Sequence, residues 1–176
     1  MPRRPRPITA AAVAVLAALM SGCYSEAPLD AVPKIDVDTR LLGAWNCASA
    51  DPGTPEAAVA TFAVSPDRKR EYHLTWQERE QKPERYRAFI SSLRDVAFLN
   101  VQPLDRNERP AWAFVRYSFL REDVLYVEVA SQKLYEDKAA GATPAAARAT
   151  LLAALKKQKD AIQTFCVCLR PAPDSP

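Results

Sequence analysis

The most reactive side chains in this sequence are its cysteines, Cys23, Cys47, Cys166 and Cys168, and a single histidine, His73. A cysteine sulfur can carry a lipid, pair in a disulfide, or bind a thiophilic metal such as copper(I) as a thiolate. Cys23 directly follows an apolar run near the N-terminus, whereas the other three cysteines stand far downstream. The two groups therefore predict different chemistry.

The groups that could perform acid–base chemistry are isolated from one another. His73 falls on the polar side of an alternating segment, with no Gly-x-Ser-x-Gly or His-x-x-x-His motif to accompany it. The carboxylates of Glu78, Glu84 and Asp105 fall in charged loops, where no pair is held at a defined separation. We therefore expect no enzymatic activity and name no catalytic residue.

An export signal occupies residues 1–22. Three arginines, Arg3, Arg4 and Arg6, precede an apolar run from Ala10 to Met20. This run has the length of a signal-peptide core and falls well short of the ~20 residues that a membrane-spanning helix requires. The segment therefore predicts secretion across a membrane and removal of the signal.

The residues that end this run, Met20-Ser21-Gly22-Cys23, resemble the lipobox of bacterial lipoproteins. The resemblance implies that the mature chain starts at Cys23 and that its sulfur carries diacylglycerol, with palmitate-like acyl chains, as the only attached group and no other cofactor. It also implies a cell-envelope location, and Tyr24 in place of aspartate points to the outer membrane, facing the periplasm. The alternative is ordinary secretory cleavage, which would leave Cys23 as a free thiol.

If the sulfur of Cys23 is acylated, three cysteines remain for other chemistry. Cys166 and Cys168 stand two residues apart in a segment that reads as extended, too far apart for relaxed bridging. We therefore expect a disulfide between Cys47 and either Cys166 or Cys168, as is usual in exported proteins, and no metal site. Three reduced, buried cysteines are the alternative.

The net charge of the mature chain gives no reason to expect a nucleic-acid partner. The whole sequence carries 24 basic and 21 acidic residues, for a net charge of +3. Three of the arginines belong to the export signal, so the mature chain is formally neutral. Residues 23–176 suffice for one domain with a sizeable core, but not for two ordinary ones.

The mature chain divides into a polar tether, a β domain and a short tail. We assign residues 23–38 to a lipidated N-terminus and flexible tether, residues 39–170 to the domain, and residues 171–176 to a disordered tail.

Within the domain, short segments rich in β-branched and aromatic residues alternate with turns, which predicts an antiparallel sheet. The expected fold is mainly β, a single antiparallel sheet or a small up-and-down barrel of about seven to eight strands. The strands are predicted near Leu41–Ala48, Val59–Ser65, Glu71–Gln77, Arg85–Leu93, Val96–Gln102, Trp112–Leu120, Val124–Ala130 and Gln163–Arg170.

One helix is predicted late in the domain. Thr143 can cap its N-terminus, Pro144 suits a first helical position, and the following residues are strong helix formers. An apolar stripe through Ala147, Leu151, Leu155 and Ile162 indicates that this helix packs on the sheet.

The first predicted strand contains Gly43-Ala44-Trp45, a Gly-x-Trp motif that resembles the opening signature of lipocalins and lipocalin-like lipoproteins. Arg170, after the last strand, stands where lipocalins place an arginine over this tryptophan. The resemblance implies a barrel with an internal cavity for a small apolar ligand. The aromatic residues that could then line the cavity are Trp45, Tyr72, Trp76, Trp112, Phe114 and Tyr117. An unrelated or open sheet, with Trp45 in its core, is the alternative.

Two functions from different classes follow. The first is a non-catalytic, membrane-anchored envelope module that supports structure or contacts another envelope protein. The second is a lipocalin-like binder of a small apolar molecule. The aromatic residues decide between them, because an enclosed space bounded by Trp76, Trp112 and Phe114 would favour a binder, whereas close interdigitation would make them core.

Overall fold

The structure is a computed structural model that describes residues 24–50, 57–79, 81–104, 111–157 and 161–172. The predicted export signal, Cys23 and residues 173–176 of the predicted tail lie outside the described residues. So does Asp105, which the sequence places in a charged loop.

Eight antiparallel strands form a closed up-and-down barrel in which each strand pairs with the next and the last pairs with the first. This confirms the mainly β fold and decides for the barrel over an open sheet. Every strand begins and ends within two residues of the predicted bounds. The strands are β1 (Gly43–Ser49), β2 (Ala57–Val64), β3 (Tyr72–Glu78), β4 (Glu84–Leu93), β5 (Val96–Pro103), β6 (Ala113–Arg121), β7 (Val124–Ala130) and β8 (Ile162–Leu169).

Side chains alternate between the inside and the outside of the barrel, as strand geometry requires. In β3, Tyr72 is fully buried inside, whereas its neighbour His73 is exposed on the outer face. The inward-facing side chains form the barrel core, a cluster that includes Leu41, Trp45, Phe62, Tyr72, Ile90, Leu99 and Leu125.

A second apolar cluster, the outer core, lies on the outside of the barrel. Aromatic side chains on the outer faces of β4, β5 and β6 are covered by helix α1 (Pro144–Lys157) and by the 3₁₀ helix Gln132–Tyr135. Its fully or nearly fully buried members include Phe89, Phe98, Trp112, Phe114, Ala147 and Leu151. The barrel wall in this region therefore has two apolar faces, one toward each core.

Helix α1 begins as the sequence predicts. The Thr143 Oγ1 accepts a hydrogen bond from the backbone N of Ala146 at 3.2 Å, which satisfies one of the free donors of the first turn. Ala147 and Leu151 face the barrel and are fully buried. The predicted stripe is wrong at its far end, because the helix ends at Lys157 and Ile162 starts β8.

The first residues after Cys23 are not a flexible tether, contrary to the prediction for residues 23–38. Ser25 and Leu29 are fully buried against the outside of the barrel. The sequence prediction failed because a short segment without periodicity gives no sign that its backbone is hydrogen-bonded to a distant strand and loop. A second deviation has the same cause, since Trp112 forms an isolated bridge with Ser25 instead of starting β6.

Candidate functional site

The interior of the barrel contains a cavity of about 390 Å³. Its walls are apolar side chains from most of the strands. Its volume lies in the range typical of small-molecule binding sites. Wall residues include Leu41, Phe62, Leu74, Trp76, Leu99, Val101, Ala113, Val115, Tyr117, Leu125, Val127 and Phe165.

Small side chains leave this space open. Ala60 on β2 and Ala113 on β6 point into the cavity where a closed barrel of this size could otherwise be filled by larger residues. Ala88 on β4 lies in the same barrel core and is fully buried. Small residues at inward positions thus contribute to the cavity.

One end of the cavity, the closed end, is formed by the chain that enters β1. Leu41 and Trp45 are fully buried there, and the Trp45 indole Nε1 donates to the Leu41 carbonyl at 2.9 Å. The Arg170 guanidinium lies 4.3 Å from the centroid of the Trp45 ring. It also donates to the carbonyls of Arg40 and Leu42, at 2.6 and 3.1 Å.

The backbone conformation at position 43, at the closed end, requires a glycine. Its φ is +102°, in the left-handed region that side chains with a Cβ rarely adopt. A Cβ at this position would also lie 3.4 Å from the Arg170 guanidinium. The glycine of the Gly-x-Trp motif therefore lets the chain turn into β1 directly beneath the arginine.

Asp38 organises the polar groups at the closed end. Its carboxylate accepts hydrogen bonds from Arg40, and the Tyr117 hydroxyl lies 3.4 Å from its Oδ2. The hydrogen bond from Arg40 lowers the pKa of Asp38, against an opposing effect of burial. Burial raises the pKa of Tyr72 to about 12 and that of Tyr117 still further, so both phenols are neutral and available as donors.

The opposite end of the cavity, the mouth, is lined by residues whose side chains are exposed to solvent. Glu84, Lys133 and Gln163 lie there, and Tyr24 from the N-terminal segment contributes to the same lining. The cavity is therefore apolar along its length and polar at its opening.

The cysteines lie in the cavity wall. Cys47 and Cys168 form a disulfide with an S–S distance of 2.05 Å, and the buried Cys166 is free. The three sulfur atoms lie within 4.8 Å of one another, but two of them are spent in the bond. Burial raises the pKa of the Cys166 thiol to about 12, so the remaining sulfur is protonated and a poor metal ligand.

The structure divides the six aromatic residues predicted as cavity walls into three pairs. Trp76 and Tyr117 line the cavity, and the Trp76 ring lies 5.5 Å from that of Phe165. Trp45 and Tyr72 belong to the barrel core at the closed end and do not line the cavity.

Trp112 and Phe114 lie outside the barrel, packed as core residues in the outer core, and so require a correction: of the three residues expected to bound an enclosed space, only Trp76 does. Because residues alternate along a strand, the inward positions of this stretch belong to Ala113 and Val115 instead. In the sequence, both faces of this strand contain apolar residues, so the sequence does not indicate which face the helix covers.

Several wall residues were not predicted. Leu74 and Val115 could have been found by following the alternation from Trp76 along β3 and from Tyr117 along β6, and Val127 by the alternation within β7. Phe165 could not, because a register shift between β7 and β8 opposite it lets both Phe165 and Cys166 reach the cavity.

Comparisons with protein-family models, with curated proteins and with solved structures find no match to this chain. Among the described residues, no helix has both the length and the apolar character needed to cross a membrane.

Proposed function

We propose that this chain is an exported bacterial lipoprotein whose barrel binds a small, predominantly apolar molecule. The observation that carries the proposal is the cavity of about 390 Å³, which runs from Leu41 at the closed end to exposed residues at the mouth. An interior of this size in an eight-stranded barrel suits one small ligand. The proposal includes no catalytic step.

The chemistry of the walls defines the class of ligand. Aliphatic and aromatic side chains such as Leu74, Leu99 and Phe165 surround the body of the cavity, whereas Glu84 and Lys133 stand at its mouth. The best-matched ligand has an apolar body that fills the cavity and a polar end that stays at the opening. An amphiphile with one acyl chain fits this description.

The contact between Arg170 and Trp45 supports the lipocalin-like part of the proposal. It joins the residue after the last strand to the Gly-x-Trp motif of the first, in the arrangement that the resemblance implies. The Cys47–Cys168 disulfide supports export, because such bonds persist in oxidising compartments. Lipidation of Cys23 and an envelope location with the membrane as partner rest on the sequence of the export signal.

Ligand binding is tested by native mass spectrometry of the mature protein after gentle extraction from a host that lipidates it. The expected result is a discrete adduct that denaturation releases and that differs in mass from the covalent lipid. The same spectrum tests the anchor, since a mature start at Cys23 without acyl mass would contradict the lipoprotein assignment.

A pair of variants locates the binding site. Ala113→Phe places a ring in the cavity, whereas Ala63→Phe places the same ring on the exposed outer face of β2. Titration with an environment-sensitive apolar dye should show loss of binding in the first variant and retention in the second. Equal binding by two variants of normal thermal stability would place the ligand outside the barrel and overturn the proposal.

A structural or protein-interaction role in the envelope is the second candidate. It is favoured by two large apolar side chains on the outer wall, Leu120 and Leu169, which are 63% and 51% exposed. A photo-crosslinking residue at position 120 should give one discrete adduct in intact cells. If crosslinks are absent or distributed over many proteins, this candidate fails.

A further inference from the structure

The segment that follows Cys23 is fixed to the barrel by hydrogen bonds. Ser25 and Trp112 exchange two backbone hydrogen bonds, with N···O distances of 3.3 and 2.8 Å. The backbone N of Ala27 donates to the Gly141 carbonyl at 2.9 Å. The backbone N of Leu29 donates to the Oδ1 of Asn100 at 2.7 Å.

Two side chains hold this segment, the buried amide of Asn100 and the partly exposed guanidinium of Arg148. Asn100 is fully buried, and its Nδ2 donates to the Phe89 carbonyl and to the Ser91 Oγ. Arg148 on helix α1 donates to the Leu29 carbonyl and to the Asp30 carboxylate. A segment held by a buried amide and a helix side chain follows a defined path along the outside of the barrel.

The path ends at the mouth of the cavity. Tyr24 lines the cavity together with Ala111 and Ala113, which lie where the chain enters β6. This is the end of the barrel opposite Trp45. Tyr24 is bonded directly to Cys23 and consecutive Cα atoms are about 3.8 Å apart, so the described part of the chain begins at the mouth, one residue from the predicted lipid anchor.

We propose that the docked segment holds the mouth of the cavity against the bilayer, so that the protein takes a single-chain amphiphile directly from the membrane that anchors it. The inference rests on the proposed function, both on the apolar ligand and on the acylation of Cys23. A free tether of 15 residues would let the domain stand up to ~50 Å from the surface. The docked segment removes this freedom and places the polar groups at the mouth, Glu84 and Lys133, at the level of the lipid headgroups.

Gly141 offers a way to release the segment without substituting a residue of the cavity wall. A Cβ at this position would lie 2.8 Å from the Cα of Ser25, closer than two such atoms can approach. Gly141 does not line the cavity, so Gly141→Ala should undock residues 24–30, which include one cavity residue, Tyr24, and leave the eight strands in place. The matched control is Ala142→Ser, at the exposed neighbouring position.

The experiment compares the rates at which variants of the full chain take up a lipid probe from vesicles. The lipidated protein is reconstituted in phosphatidylcholine vesicles that contain deuterated lysophosphatidylcholine, and native mass spectrometry measures the fraction carrying the deuterated adduct over time. The protein and the Ala142→Ser control should fill roughly tenfold faster than the unlipidated Cys23→Ser chain, since anchoring raises the effective concentration of the mouth at the membrane. Gly141→Ala should lose most of this gain, yet still bind the same probe added in solution, because Tyr24 is the one cavity residue within the released segment.

Two results overturn the inference, and they differ in what they leave standing. If Gly141→Ala fills as fast as the unchanged protein, the anchor acts without orienting the barrel, and the proposed function survives. If no variant takes up the probe in solution, the proposed function fails and the inference fails with it. If Gly141→Ala does not fold, as shown by loss of a cooperative unfolding transition, Arg148→Ala replaces it, because it removes the helix contact to the segment and also lies outside the cavity.

Discussion

The guanidinium of Arg170 lies over the indole ring of Trp45, 4.3 Å from its centroid. The contact joins the residue after the last strand to the first strand, on the same side of the barrel where β8 pairs with β1. Two hydrogen bonds from the guanidinium to the carbonyls of Arg40 and Leu42 complete the closed end. Residues at the start of the first strand and after the last strand thus close this end of the barrel.

Removal of the Arg170 side chain should weaken the closed end. We expect Arg170→Ala to reduce the free energy of unfolding by about 1–2 kcal/mol, through the loss of a partly exposed cation–π contact and two charged hydrogen bonds. Urea unfolding of the mature domain measures the change. The control is Arg121→Ala, which removes only an exposed ion pair with Asp123 and should alter stability by at most about 0.5 kcal/mol. Equal effects of the two substitutions would show that the Trp45 contact adds nothing.

The disulfide should supply a large part of the stability of the domain. Cys47 and Cys168 are 121 residues apart in sequence, and the chain-entropy model gives at most about 4–5 kcal/mol for a loop of this length. We expect a reductant to lower the urea midpoint of the unchanged protein by a large amount. The Cys47→Ala/Cys168→Ala double variant should have a low midpoint with or without reductant. A reductant effect that persists in the double variant would contradict this assignment.

Cys166 should be unreactive until the barrel unfolds. Burial raises the pKa of its thiol to about 12, so thiolate is scarce at neutral pH, and the side chain is nearly inaccessible. Iodoacetamide followed by peptide mapping should label Cys166 only after denaturation, and Cys47 and Cys168 only after denaturation with reduction. Rapid labelling of Cys166 in the folded protein would show that the cavity wall opens readily.

The closed end should lose stability in acid through Asp38. The hydrogen bond from Arg40 lowers the pKa of Asp38 in the folded state, so the folded state favours the ionised carboxylate. The stability from this charge is present above the unfolded-state pKa of about 4 and is lost as the pH falls through the lower folded-state pKa. Urea unfolding between about pH 6 and pH 3 should show a smaller acid-induced loss for Asp38→Asn than for the unchanged protein.

Tyr72→Phe provides the control for this acid dependence. Its hydroxyl hydrogen-bonds the backbone of Asp38 and not the carboxylate, and the phenol stays neutral throughout this pH range. The substitution should therefore lower stability by a similar amount at each pH. If Asp38→Asn leaves the acid-induced loss unchanged, the carboxylate does not contribute to it.

Most of the barrel could be predicted from the sequence because strand alternation is a local property. The apolar set Tyr72, Leu74 and Trp76 faces inward, and His73 between them is exposed. The cap at Thr143 likewise marks the start of helix α1, since capping depends only on residues within one turn. The number of strands and their positions along the chain followed from these local signals, whereas the closure of the sheet into a barrel did not.

The choice between the two cysteine partners of Cys47 needed the register of non-adjacent strands. Cys47 lies opposite Cys168 in the pairing of β1 with β8, whereas Cys166 lies opposite Ser49. Cys166 and Cys168 have similar sequence surroundings. Only the closure of the barrel, which brings the first and last strands together, distinguishes them.

The sequence by itself determined the strands, the helix and the candidate partners of the disulfide; the tertiary structure decided what lies inside the barrel. Trp112 and Phe114 are as apolar as Ala113 and Val115, so periodicity could not assign the faces of β6. Helix α1 and Leu29 cover the aromatic face, and the face with the smaller side chains bounds the cavity. The path of residues 24–30 was decided in the same way, because their backbone hydrogen bonds go to distant residues, Trp112, Gly141 and Asn100, which no local pattern reveals.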